Sequence, residues 1–154
     1  MNIEPFRIVL VEPEIPQNTG NIVRLCACTG CELYLVGKLG FVLTDKYLKR
    51  AGLDYWDDMK IQQYSTFEEL KKNHEHNNFY YLSTKAKIKY TDISFKQGDF
   101  LVFGSETRGL PKELISNNPD NSIIIPMKAD KRSLNLSNSV SIVLYEAIRQ
   151  TNYL

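Results

Sequence analysis

The sequence predicts an α/β fold, a mostly parallel sheet with helices on both faces. Three observations carry this reading. Strand and helix signals alternate along the chain, with no linker, repeat or low-complexity tract between them. The apolar runs at 100–103 and 122–125 each pass into a loop and then a helical signal, the kind of crossing at which open α/β sheets bind ligands. The 154 residues, 43% of them hydrophobic, are enough for one domain spanning 1–154 with its own core.

Taken in order, residues 6–11 are an apolar strand run, after which Asn18 or Thr19 can cap a helix. That helix carries Ile22, Leu25 and Cys26 on one face, and Gly30 ends it. A strand at 32–36 follows, then a basic helix over 45–51 stopped by Gly52. Residues 60–64 suit a short strand. Ser65 and Glu68 have the spacing of a capping box, opening a helix that reaches about His74. Strands are expected at 79–82, 100–103 and 122–125, with a short helix starting after Pro111. The last helix spans about 135–150, with Leu136, Val140, Val143, Leu144 and Ala147 at helical spacing.

Composition excludes several classes. No run approaches the ~18 apolar residues of a membrane span, and the first residues lack a signal peptide's charged and apolar regions. A cytoplasmic protein with no membrane partner is therefore expected. The net charge of +1 requires any nucleic-acid site to be a local concentration of charge. Cys26, Cys28 and Cys31 do not read as a metal site. At about 100° per helical residue, the first two point to nearly opposite sides. A fourth ligand is missing nearby, so reduced, mostly core thiols are expected and no metal.

Three short stretches could carry chemistry. The first runs from Asn18 through Gly20 and Asn21 to Arg24, a residue off the line of the helix's apolar face. The second is Gly104-Ser105-Glu106-Thr107-Arg108-Gly109, whose glycines allow unusual backbone conformations and close ligand approach. An ordinary strand-to-helix turn would look similar. The stretch also resembles a dinucleotide fingerprint, but Glu106 replaces the middle glycine and would face a pyrophosphate with like charge. The third joins Ile125-Pro126-Met127 to Ser133-Leu134-Asn135, where Ser133 or Asn135 could simply cap the last helix. Farther along that helix, Asn138 and Tyr145 share one side, with Ser137, Ser141 and Tyr145 alongside as a polar stripe.

In this order the three stretches resemble the SPOUT (α/β-knot) methyltransferases acting on a ribose 2′-hydroxyl of RNA. Within them, the resemblance is strongest to the subfamily that methylates the wobble cytidine or uridine of tRNA. It covers nearly the whole chain. It implies a C-terminal trefoil knot whose walls bind S-adenosylmethionine, with no metal. It assigns cofactor contacts to Leu82, Gly104, Gly109, Ile125, Met127, Ser133 and Leu134, and catalytic roles to Arg24, Glu106, Asn135 and Tyr145. A cationic sulfonium suits Glu106 better than a pyrophosphate does. Arginine, with a pKa above ~12, is read as holding the ribose and its phosphate rather than as a literal base. Ser105 stands where the subfamily commonly has proline, and is expected to loosen the turn.

The resemblance also implies a homodimer with the site near its interface, acting on a tRNA anticodon stem-loop. Candidate cationic contacts are Lys46, Lys49 and Arg50; Lys85, Lys87 and Lys89; and Lys128, Lys131 and Arg132. Tyr55, Trp56 and Tyr90 could stack on unpaired bases or pack in the core. The other readings are 2′-O-methylation at another tRNA or rRNA site, a non-catalytic RNA-binding module, and a nucleotide-binding oxidoreductase, which Glu106 disfavours.

Overall fold

The computed structural model describes residues 2–51, 59 and 61–154. Its strands are β1 (Arg7–Val11), β2 (Glu32–Val36), β3 (Ile61–Tyr64), β4 (Phe79–Leu82), β5 (Ile88–Lys89), β6 (Phe100–Phe103) and β7 (Ser122–Ile124). Its helices are α1 (Pro16–Thr29), α2 (Lys46–Ala51), α3 (Phe67–Asn73), α4 (Lys112–Ser116) and α5 (Leu136–Thr151). The strands form one sheet in the order β3-β2-β1-β6-β4-β7-β5, and every pair is parallel.

Strand alternation divides the core into two layers. Ile8, Leu10, Leu33, Leu35, Leu101 and Phe103 face one side, where Ile22, Val23 and Cys26 of α1 and Val140, Val143 and Leu144 of α5 cover them. Val9, Val11, Tyr34, Val36, Phe100 and Val102 face the other, under Phe67 and Leu70 of α3 and Leu114 and Ile115 of α4. The strands are therefore apolar on successive residues, as burial on both faces requires. Each fully buried aliphatic or aromatic side chain contributes roughly 1.5–3 kcal/mol of transfer free energy.

The order of the strands creates the functional edge. From β1 the chain moves outward to β2 and β3, whereas β6 and β4 lie on the other side of β1. Parallel pairing puts the C-terminal ends of β1, β6, β4 and β7 on one edge, at the point where the strand order reverses. β7 lies between β4 and β5, pairing Ile123 with both Leu82 and Ile88. The short edge strand β5 was not foreseen, because two residues of alternating polarity give no strand signal.

The element ends correct the sequence reading in several places. Asn18 and Thr19 do not cap α1. The helix starts earlier, with Pro16 in its first turn and Ile15 at the N-cap, which offers no side-chain bond. Gly30 does end it, at φ 71°. In α3 the cap is Thr66 rather than Ser65, and its hydroxyl accepts the Glu69 N–H at 3.3 Å. The short helix α4 does begin directly after Pro111, which is its N-cap. β7 ends at Ile124, one residue before the expected end. The Gly52 stop, Lys60 at the expected start of β3, and Tyr55 and Trp56 lie outside the described residues.

Candidate active site

The loops leaving the four central strands enclose a cleft of about 940 Å³, within the range of small-molecule sites. All seven residues expected to touch a cofactor line it. Leu82 comes from the end of β4, Gly104 and Gly109 from the turn after β6, Ile125 and Met127 from beyond β7, and Ser133 and Leu134 from the approach to α5. Glu106 and Asn135 line it as well. Arg24 and Tyr145 do not. Both are exposed, on α1 and α5 respectively, and neither helix presents them to the cleft of the same chain.

Local chemistry explains the shape of the turn. A β-carbon on Gly104 would lie 2.1 Å from the carbonyl carbon of Gly109, so the strand exit and the end of the turn touch through backbone. Gly109 has φ 68°, and a β-carbon there would meet nothing within 4 Å, so its α-carbon borders open space. The Gly109 N–H donates to the Ser105 carbonyl at 2.9 Å. The buried Ser105 hydroxyl accepts the Arg108 N–H at 3.2 Å. Serine thus ties this turn instead of loosening it, because its side chain supplies an acceptor that proline lacks.

Glu106 joins two of the three stretches. One carboxylate oxygen accepts the Glu14 N–H and the other the Ile15 N–H, each at 2.8 Å. The second also accepts from Asn18 Nδ2 at 3.2 Å. The carboxylate therefore supplies from the turn after β6 the cap that α1 lacks, at the positive end of its dipole. Asn135 joins the third stretch. Its Nδ2 donates to Asn18 Oδ1 at 3.1 Å, while its own Oδ1 accepts from Ser137 Oγ and the Asn138 N–H. Glu106, Asn18 and Asn135 form a continuous polar link across the cleft. Three donors converge on the Glu106 carboxylate, which braces the turn against the start of α1.

The cleft presents its ligand with apolar walls and a cationic rim. Leu82, Ile125, Met127 and Leu134 offer the apolar surface, and Lys85, Arg108, Lys112 and Arg132 supply positive charge. Arg108 and Lys112 were not picked out in the sequence. A lone cation beside a glycine turn carries no spacing signal. Glu14 was also missed, because its partner Thr107 lies 93 residues away in the sequence. Its Oε1 accepts from Thr107 Oγ1 at 2.6 Å and the Thr107 N–H at 3.2 Å, and those bonds hold its carboxyl below the usual range. Tyr90 packs against the core rather than standing free for base stacking. Cys26 and Cys31 are buried, which pushes their thiols up, while Cys28 is exposed. Among the described residues, no three His, Cys, Asp or Glu side chains are placed to hold a metal ion. Among them too, no helix is long and apolar enough to cross a membrane.

A parallel sheet with its ligand cleft at the strand-order reversal, closed by a glycine turn and two capped helices, defines an α/β enzyme scaffold. The chain belongs to the SpoU rRNA Methylase family, whose model matches residues 5–145. A tRNA (cytidine(34)-2′-O)-methyltransferase of Saccharophagus degradans is 48% identical over 149 residues, covering 96% of this chain and 97% of its own length. A solved structure concerned with 2-OH methylation of C/U34 on tRNA is 38% identical with a TM-score of 0.90, covering 96% of each chain. The SpoU methyltransferase AviRb from Streptomyces viridochromogenes, in complex with AdoMet, shares the fold at a TM-score of 0.86 and 23% identity. That match spans 97% of this chain and 62% of AviRb.

Proposed function

We propose that this chain transfers a methyl group from S-adenosylmethionine to the 2′-hydroxyl of the wobble cytidine or uridine, nucleotide 34, in tRNA anticodon loops. The observation that carries this reading is the Glu106–Asn18–Asn135 link, which draws three separate stretches to one cleft. The relatives' substrate and the full-length match support the RNA assignment. The residues present suit the cofactor. The open side of Gly109 admits a ligand against the backbone, and the apolar walls fit an adenosine. The cationic rim fits a carboxylate or the phosphates of RNA. When bound, the cofactor supplies an electrophilic methyl and needs no metal.

The remaining chemistry falls to the side chains. Glu106 and Asn135 hold the two helix entrances, and with them the reacting geometry. Arg24 grips the ribose phosphate and favours charge developing on the 2′-oxygen. Tyr145 faces the RNA. Because Arg24 and Tyr145 sit outside their own chain's cleft, a homodimer with the site near its interface completes the arrangement. The position of β7 between β4 and β5 supports the C-terminal threading expected of the fold. A cytoplasmic location follows from a tRNA substrate.

The test is transfer of labelled methyl from S-adenosylmethionine to unmodified tRNA, with the product located by nuclease digestion and mass spectrometry. A 2′-O-methylated residue at position 34 is expected. Arg24→Lys keeps the charge but loses the planar fork, so turnover should fall by about 10²-fold with cofactor affinity nearly intact. Methylation at another RNA position would overturn the wobble assignment, and RNA binding without transfer would favour a silent module.

A further inference from the structure

The link between β1 and α1 is held in an unusual path. Glu12, a non-glycine residue, has φ 50°, a conformation that costs energy and persists only where its surroundings enforce it. They do so on both sides. The Glu12 N–H donates to the Val36 carbonyl at 2.8 Å, and the Gly40 N–H donates to Pro13 at 2.9 Å. A β-carbon on Gly40 would sit 2.8 Å from the α-carbon of Glu14, so the 37–45 loop lies directly against that residue.

Held there, Glu14 and Glu106 form a reciprocal clasp between their two segments. The Glu106 carboxylate takes the N–H groups of Glu14 and Ile15, and the Glu14 carboxylate takes the N–H and hydroxyl of Thr107. Ser105 and Arg108 also act on Glu14, helping to keep it ionised. Each end of the clasp satisfies donors that the other segment cannot satisfy itself.

We propose that Glu14 is a positioning residue for methyl transfer, pinning residues 105–108 so that the open side of Gly109 faces the cofactor cleft. The role rests on the methyltransferase reading of that cleft. It also makes the cofactor turn and α1, the helix bearing Arg24, one mechanical unit. Glu14 touches no reacting atom, and it lies outside the set of residues lining the cleft.

The experiment compares the full-length wild type with Glu14→Ala and Glu14→Gln. Calorimetric titration with S-adenosylmethionine gives cofactor affinity, amide hydrogen exchange reports on Thr107, and steady-state kinetics gives KM for tRNA. In Glu14→Ala, cofactor affinity should fall about tenfold and Thr107 should exchange faster, with KM for tRNA unchanged. Glu14→Gln should recover most of the affinity, because its amide oxygen can accept the same two bonds. Unchanged affinity in Glu14→Ala, beside normal wild-type binding, overturns the role of Glu14 alone. So does an equal loss in both variants with an equal fall in melting temperature. A wild-type chain that binds no S-adenosylmethionine fails the methyltransferase reading and takes this role with it.

Discussion

Gly104 shows what a single residue decides here. Its position permits no side chain, since an added β-carbon would overlap the Gly109–Leu110 peptide, with contacts of 2.1 Å and 2.3 Å. Both neighbours are backbone and cannot rotate away, so relief requires the turn to open. Gly104→Ala should therefore cost about 3 kcal/mol or more in urea unfolding, and should impair cofactor binding even in the fraction that folds. Wild-type stability in that variant would show that the two strands of the turn do not meet as described. Gly109 has the opposite constraint, ample space but a left-handed backbone. Two glycines of one motif are thus required for different physical reasons.

At the scale of elements, the two long helices are fastened by polar side chains at different ends. α1 takes its N-terminal cap from Glu106. Near the C-terminus of α5, Gln150 donates to the Ile93 carbonyl and accepts the Phe95 N–H, each at 2.9 Å, tying the helix to the segment before β6. Glu146 orients this end by accepting from Arg149 and Gln150, bonds that hold its carboxyl down at about 2 against an ordinary 4.5. A depressed carboxylate contributes stability above its unfolded pKa and loses it as pH falls through the folded one. Part of the acid sensitivity between about pH 4.5 and 2 should therefore disappear in Glu146→Gln, as followed by thermal melts across that window. The effect should stay below about 1 kcal/mol, because Arg149 is 71% exposed and water screens the pair. Identical pH profiles for variant and wild type would remove Glu146 from the account.

Over the whole molecule, the sheet has a structural edge and a functional edge. At the starts of the strands, Arg7 bonds Glu4 and the Gly98 carbonyl, and buried Asp99 accepts from Asn78 and the Lys96 N–H. These bonds anchor the ends from which the parallel strands set out. At the opposite edge, the Glu106–Asn18–Asn135 link and a cationic rim line an open cleft. The chain's net charge is only +1, so attraction for RNA must come from local cations such as Lys85, Arg108, Lys112 and Arg132. Binding to tRNA should accordingly weaken steeply between low and moderate salt in a filter or anisotropy assay. Affinity independent of salt would contradict a phosphate-tracking surface.

The sequence by itself determined the elements whose signals are local. Strands buried on both faces announce themselves as apolar runs, and β2, β4 and β6 occupy the expected residues. Gly30 and the Asn135 cap were legible because capping depends on a few neighbouring residues. The residues lining the cleft were named through the resemblance of three ordered motifs to a known family, since a lone glycine turn or strand exit carries little signal by itself. Only the tertiary structure decided what depends on groups distant in sequence. The cap of α1 is a carboxylate about 90 residues away, which is why Asn18 and Thr19 misled as cap candidates. Glu14 acquires its partner by the same long-range approach. Strand order, with β7 between β4 and β5, likewise arises from pairing across the fold. Hydrogen bonds and burial act through space, and spacing along the chain reports them only when both partners belong to one element.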